Sequence, residues 1–204
     1  GLLRAAVEKA GLTDRTAFVI AADHGFVTVR HEMNIAPLVA EPSLDGRVRW
    51  SVDKWYAFAE KTAAFDSARD GPVLARVLTR LGAAPGIARV FGPDDMASLG
   101  FPDHDANPYS SGQYIAAADI DTHLRLDAAD PSTARRLKRT PYHGHGYLPG
   151  HQAMYPALVM SGAGIARGVR LGHVRNVDVA PTIAALLGIP FPGAEGRVLR
   201  AALK

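Results

Sequence analysis

Thr16-Ala17-Phe18-Val19-Ile20-Ala21-Ala22-Asp23-His24-Gly25-Phe26 is the stretch on which the reading of this chain turns. From Ala17 to Ala22 it is apolar without interruption, long enough for a strand buried on both faces, as in a parallel sheet covered by helices. The run stops at a carboxylate followed by an imidazole. Open α/β folds build their sites at the carboxyl edge of the sheet, which is where Asp23 and His24 would stand. Side by side the two can bind one divalent ion, because zinc accepts both ligand types. A zinc held there acts as a Lewis acid on a phosphoryl oxygen. Taken alone, the pair also reads as a solvated loop in which Asp23 caps a turn.

Outward from this stretch the pattern is mixed. Upstream, Leu3, Ala6, Val7 and Ala10 fall on one helical face, and Gly11 follows as a stop. Helix, short turn and apolar strand together are an α/β signature. Downstream, residues 26–142 change character. Strands are expected over Arg47–Tyr56, Ile87–Phe91, Gln113–Ile120 and His123–Leu126. Helices are expected over Pro72–Leu81, with Val73, Val77 and Leu81 on one face, and over Asp94–Leu99. From His143 the first style returns, with a second buried strand at Pro156–Ser161. A helix capped by Asp178 then runs to Leu187 and stops at Gly188. The expected architecture is α/β, a mostly parallel sheet flanked by helices. Residues 1–25 and 143–204 form part of that core, and 26–142 form an inserted α+β cap lobe.

A second group of candidate ligands is His143-Gly144-His145-Gly146-Tyr147, with His151 close behind. In an extended segment residues i and i+2 face the same way, so His143 and His145 can share an ion, or one of them can join Asp23 and His24. The glycines permit close backbone approach. A flexible loop is the alternative. His31, His104, His123 and His173 have no partner at local spacing and are assigned to structure or solvent.

Composition narrows the classes. The 204 residues carry 23 Lys and Arg against 20 Asp and Glu, a net charge of +3, too small to argue for nucleic acid. The basic run Arg135-Arg136-Leu137-Lys138-Arg139 has no interleaved aromatics and reads as a solvated face. There is no cysteine, which excludes disulfides, thiolate nucleophiles and Cys-based metal sites and leaves the compartment open. No stretch reaches the ~18 apolar residues of a membrane span. Ser110-Ser111 lies in no Gly-x-Ser-x-Gly elbow, and Gly162-Ala163-Gly164 is followed by Arg167 where a dinucleotide loop would want glycine.

Taken together, these residues resemble a known family. The strand ending in Asp23-His24-Gly25 is similar to the motif of the alkaline phosphatase superfamily, in its type I phosphodiesterase/nucleotide pyrophosphatase branch. His145-Gly146-Tyr147-Leu148-Pro149, then Met154, then Ala157 to Ile165, resembles that family's His-Gly-Tyr loop leading to a strand and a Gly-Pro-Gly turn, with Ala163 in the proline's place. Val174–Leu187 and Gly193–Arg197 resemble its closing helix and tail.

The resemblance implies the C-terminal part of a two-zinc phosphoesterase. Asp23 and His24 would bind one Zn2+, and His145, the histidine directly before Gly-Tyr, the other. It implies a Thr or Ser nucleophile and further ligands, an Asp and an Asp-x-x-x-His, outside this chain. The chain alone is therefore expected to be inactive, its partners being a small phosphoester and the missing half of the same protein. A phosphomonoesterase or phosphonoacetate hydrolase of the same superfamily is the alternative enzyme. A non-catalytic binding module on the same scaffold is the alternative outside enzymes.

Overall fold

The chain divides into two compact units, one of Gly1–Gly25 with Pro156–Lys204 and one of Phe26–Tyr155. The structure is a computed structural model that describes residues 1–99 and 112–204. His104, Ser110 and Ser111 lie outside the described residues. In chain order the elements are α1 (Leu2–Lys9), β1 (Ala17–Ala21), β2 (Val27–Asn34), α2 (Ala36–Val39), β3 (Val48–Asp53), β4 (Tyr56–Lys61), α3 (Ser67–Gly82), β5 (Ile87–Phe91), α4 (Pro93–Met96), β6 (Tyr114–Ala118), β7 (Thr122–Arg125), β8 (Arg136–Gly144), β9 (Leu158–Gly162) and α5 (Val179–Leu187).

In the first unit β1 and β9 pair antiparallel, Ala17 opposite Gly162 and Ala21 opposite Leu158. The chain is a mixed α/β fold, but this pair does not show the parallel pairing expected of β1. No helical crossover links the two strands. The chain returns to β9 only after residues 26–155, so the constraint that makes βαβ neighbours parallel does not act. An antiparallel strand beside otherwise parallel ones is common in such sheets. Nor are the strands buried on both faces: Ile20 is 65% exposed and Val159, directly opposite it, 55%.

α5 ends as expected, with Gly188 at φ 67 in the left-handed region that a residue without Cβ enters freely. Asp178 stands at its start but does not cap it. Its carboxylate instead accepts from the backbone N–H of Arg175 (3.1 Å) and of Arg197 (3.0 Å), tying the tail to the helix. Thr182 on α5 continues this tie, donating to the Asp178 carbonyl at 2.6 Å and accepting from the Leu199 N–H at 2.9 Å.

Among the described residues the second unit holds two sheets, ordered β7-β2-β8 and β3-β4-β6-β5. One buried apolar cluster joins them, running from Val29 and Met33 on β2 through Leu74, Val77 and Leu81 on α3 to Ala116 and Leu124. α3 starts at Ser67 rather than Pro72. The Asp66 carboxylate accepts from the Arg69 N–H (2.8 Å) and the buried Asp70 carboxylate from the Asp66 N–H (2.8 Å), so the first turn is capped. The basic run is not a bare solvated face. It opens strand β8, whose cations pair across to neighbours: Arg136 and Lys138 with Glu32 at 3.0 and 3.3 Å, and Arg135 with Asp121 at 2.7 Å.

Candidate functional site

Beyond β1 the chain stays extended for one more residue, with the Ala22 N–H donating to the Ala157 carbonyl at 3.2 Å, and then turns at Asp23. Two local bonds shape that turn. The His24 N–H donates to Asp23 Oδ1 at 3.0 Å. His24 Nδ1 lies 3.0 Å from the Gly25 carbonyl, and because a carbonyl only accepts, Nδ1 carries the proton. Nε2 is then the ring nitrogen with a lone pair, the form in which histidine binds a metal. A third bond, from Asn176 Nδ2 to the Asp23 carbonyl at 3.3 Å, fastens the turn to the segment before α5. No sequence motif had marked Asn176 for this role.

His24 Nε2 and Asp23 Oδ2 are 3.4 Å apart. That is long for a hydrogen bond but suits two donors on one ion. Ligands at the zinc–nitrogen and zinc–oxygen distances of a tetrahedral site lie about 3.4 Å from each other. The carboxylate is 85% exposed and the imidazole 29%, so the donor atoms reach solvent. Donor chemistry, tautomer and spacing therefore all fit zinc. Two consecutive residues supply only part of a coordination sphere. Among the described residues no group of three or more His, Cys, Asp or Glu is gathered as a metal site.

The other candidates lie in the second unit. His143 is on β8, opposite Thr28 of β2, with Nδ1 3.4 Å from the Thr28 hydroxyl. His145 follows the strand between two glycines, both pressed on Trp55. A Cβ on Gly144 would come within 2.6 Å of the indole, and one on Gly146, at φ 102, within 2.9 Å. This is the close backbone approach expected of that run. It leaves the His145 side chain exposed, its ring edge-on to Phe26 with centroids 5.3 Å apart. Tyr147 anchors the segment: its buried hydroxyl donates to the Thr122 carbonyl at 3.1 Å, and burial pushes the phenol's pKa up. His151 accepts from the Ala153 N–H at 3.1 Å and caps a short turn. His31 and His123 do have partners, though distant in sequence: Asp121 at 2.7 Å and the Tyr142 hydroxyl at 2.9 Å.

No protein-family model and no curated protein matches the sequence. Solved structures match the fold. Human ectonucleotide pyrophosphatase/phosphodiesterase 5 is 18% identical with a TM-score of 0.65, the match covering 96% of this chain and 47% of that one. The murine protein is 14% identical, TM-score 0.67, over 100% of this chain and 50% of that one. An inactive murine variant in complex with AMP is 15% identical, TM-score 0.68, with the same coverage. The chain thus spans about half the length of these proteins and shares their α/β fold over that half.

Proposed function

We propose that this chain forms part of a zinc-dependent phosphoesterase that cleaves phosphodiesters or nucleotide pyrophosphates. The observation that carries the proposal is the turn after β1, where Asp23 Oδ2 and His24 Nε2 stand 3.4 Å apart with the His24 tautomer set by the Gly25 carbonyl. The fold supports it, since the neighbours named above are phosphodiesterases by title and one of them holds AMP.

In this reading Asp23 and His24 would hold one zinc ion, and His145, by its place before Gly146-Tyr147, would hold a second. Zinc bound by these residues would supply Lewis-acid stabilisation of negative charge on a phosphoryl group. The contribution of this chain is positional. The Gly25 carbonyl keeps the proton on Nδ1, Asn176 keeps the turn in place, and Gly144 and Gly146 set the backbone that carries His145. The attacking Thr or Ser oxygen and the remaining ligands come from residues outside this chain.

Equilibrium dialysis against zinc tests the ligand assignment without turnover. His24→Ala and Asp23→Asn should each weaken zinc retention by about tenfold or more. Unchanged retention in both would refute the site. In the full-length protein, His24→Ala and His145→Ala should each lower hydrolysis of an aryl phosphodiester by about a hundredfold or more. Zinc-dependent turnover by residues 1–204 alone, lost in His145→Ala, would refute a nucleophile placed elsewhere.

A further inference from the structure

The pair β2 and β8 has two faces of opposite character. Val27 and Val29 of β2 and Tyr142 of β8 pack on the apolar core, and Gly144 presses on Trp55. Side chains alternate along an extended chain, so Phe26, Thr28 and Arg30 fall on the outer face, as do His143 and His145. The antiparallel register sets Thr28 opposite His143. The contact of Phe26 with His145, ring centroids 5.3 Å apart, continues that register beyond the end of the strands. All five residues belong to the Phe26–Tyr155 unit. The outer face is therefore a strip that starts at His145, passes Thr28 and His143, and ends at Arg30.

Along the strip the polar groups are under-used. Thr28 Oγ1 and His143 Nδ1 are 3.4 Å apart, at the long limit of a hydrogen bond, so hydroxyl and imidazole keep capacity for another partner. Past Thr28 the register breaks. Val29 faces Tyr142 but His31 faces Leu137, so Lys138, Arg139, Thr140 and Pro141 are set against Arg30 alone. Bulges of this kind re-aim side chains and are over-represented beside sites. The cations of the sheet fall into two groups. Arg125, Arg136 and Lys138 are paired with carboxylates at 2.6, 3.0 and 3.3 Å. Arg30 and Arg139, which meet at the bulge, are exposed and have no carboxylate partner among the described residues.

Building on the phosphoesterase reading, we propose that this strip binds a chain of phosphates, and that Arg30 selects substrates carrying a phosphate beyond the one attacked. The substrate class is then a pyrophosphate or polyphosphate ester rather than a simple phosphodiester. A rise of about 3.3 Å per residue puts Arg30 about 13 Å along the strip from Phe26. A single phosphate held at His145 leaves Arg30 idle. A phosphate chain, met by arginine's long side chain, spans the interval. The guanidinium presents paired N–H donors that match two phosphate oxygens, which fits a terminal phosphate. The Thr28 hydroxyl and an N–H of His143 donate to the oxygens between.

The test is a titration of residues 1–204 with inorganic tripolyphosphate and with orthophosphate, in chelator, at constant pH and ionic strength, followed by NMR. Tripolyphosphate should shift the signals of Thr28, Arg30 and His143 and bind more tightly than orthophosphate. Arg30→Gln should weaken tripolyphosphate binding by about tenfold and leave orthophosphate nearly unchanged. Arg30→Lys should recover part of the loss. Arg76→Gln removes an exposed cation from α3 and should change neither affinity. Three results would overturn the proposal. One is equal affinity for the two anions. Another is an equal loss in Arg30→Gln and Arg76→Gln, the mark of diffuse charge attraction. The third is a set of shifts confined to residues outside β2 and β8. No zinc is present in this titration, and zinc retention by Asp23 and His24 is read by dialysis, so the strip and the metal site fail separately.

Discussion

At the scale of single residues, Asp178 shows how one carboxylate can organise several segments. It is 1% exposed and accepts from the Arg197 and Arg175 amides, with the Arg175 guanidinium 3.5 Å away. The Arg197 amide bond, followed by that of Arg175, outweighs the penalty of burial and holds the carboxyl below the usual carboxylate range. A depressed carboxylate stabilises the fold above its unfolded value, about 3.9, and loses that contribution as pH falls through the folded value. Asp178→Asn should therefore lower the melting temperature at pH 7 by about 5 °C and flatten its decline in acid, as read by circular dichroism. His123 titrates in a more accessible window. Its pKa is lowered, first by burial and then by the charge of Lys138, so the folded state prefers the neutral ring. Stability should decline as pH drops below about 6.5, the unfolded value, until the folded value is passed. Urea titrations at pH 7.5 and pH 5 should show that decline, and His123→Gln should reduce it.

Among the elements, β8 carries the most information that no local pattern revealed. Its charged residues and Pro141 argue against a strand. Among the described residues it is an edge strand, where a proline costs no pairing on the outer side and cations can lie across from Glu32. Burial raises the Glu32 carboxyl pKa, but hydrogen bonds from Arg136 and Lys138 outweigh it and leave the value lowered. The end of β8 is set by packing against Trp55, so Gly144→Ala should cost about 1–3 kcal/mol in urea denaturation, because the new methyl group meets the indole. Gly150→Ala, with nothing within 4 Å, is the control and should change little. α3 shows the opposite case. Its apolar spacing was readable, although the buried stripe is Leu74, Val77 and Leu81, with Val73 only half-buried, and the start shifts to the Asp66 cap.

For the molecule as a whole, the two units differ in what they need from elsewhere. Residues 26–155 own a continuous apolar core and, among the described residues, two sheets, and should fold when expressed alone. A cooperative thermal transition of the isolated segment, with native-like circular dichroism, is the expected result. A non-cooperative melt would show that its core is insufficient.

Much of the candidate site was legible from the chain. The apolar run of β1, the Asp23-His24 turn, the Gly-His-Gly-Tyr segment and the stop of α5 at Gly188 are all contiguous. Their chemistry and periodicity depend on neighbours a few residues away. The remaining features join residues far apart in the chain. These include the antiparallel register of β1 with β9, the pairing of His31 with Asp121 and of His123 with Tyr142, the press of Gly144 on Trp55, and the Asp178 tie to Arg197. Local periodicity records which face of an element is apolar. It does not record which distant element will meet that face, because that choice is made by packing and hydrogen-bond satisfaction across the fold.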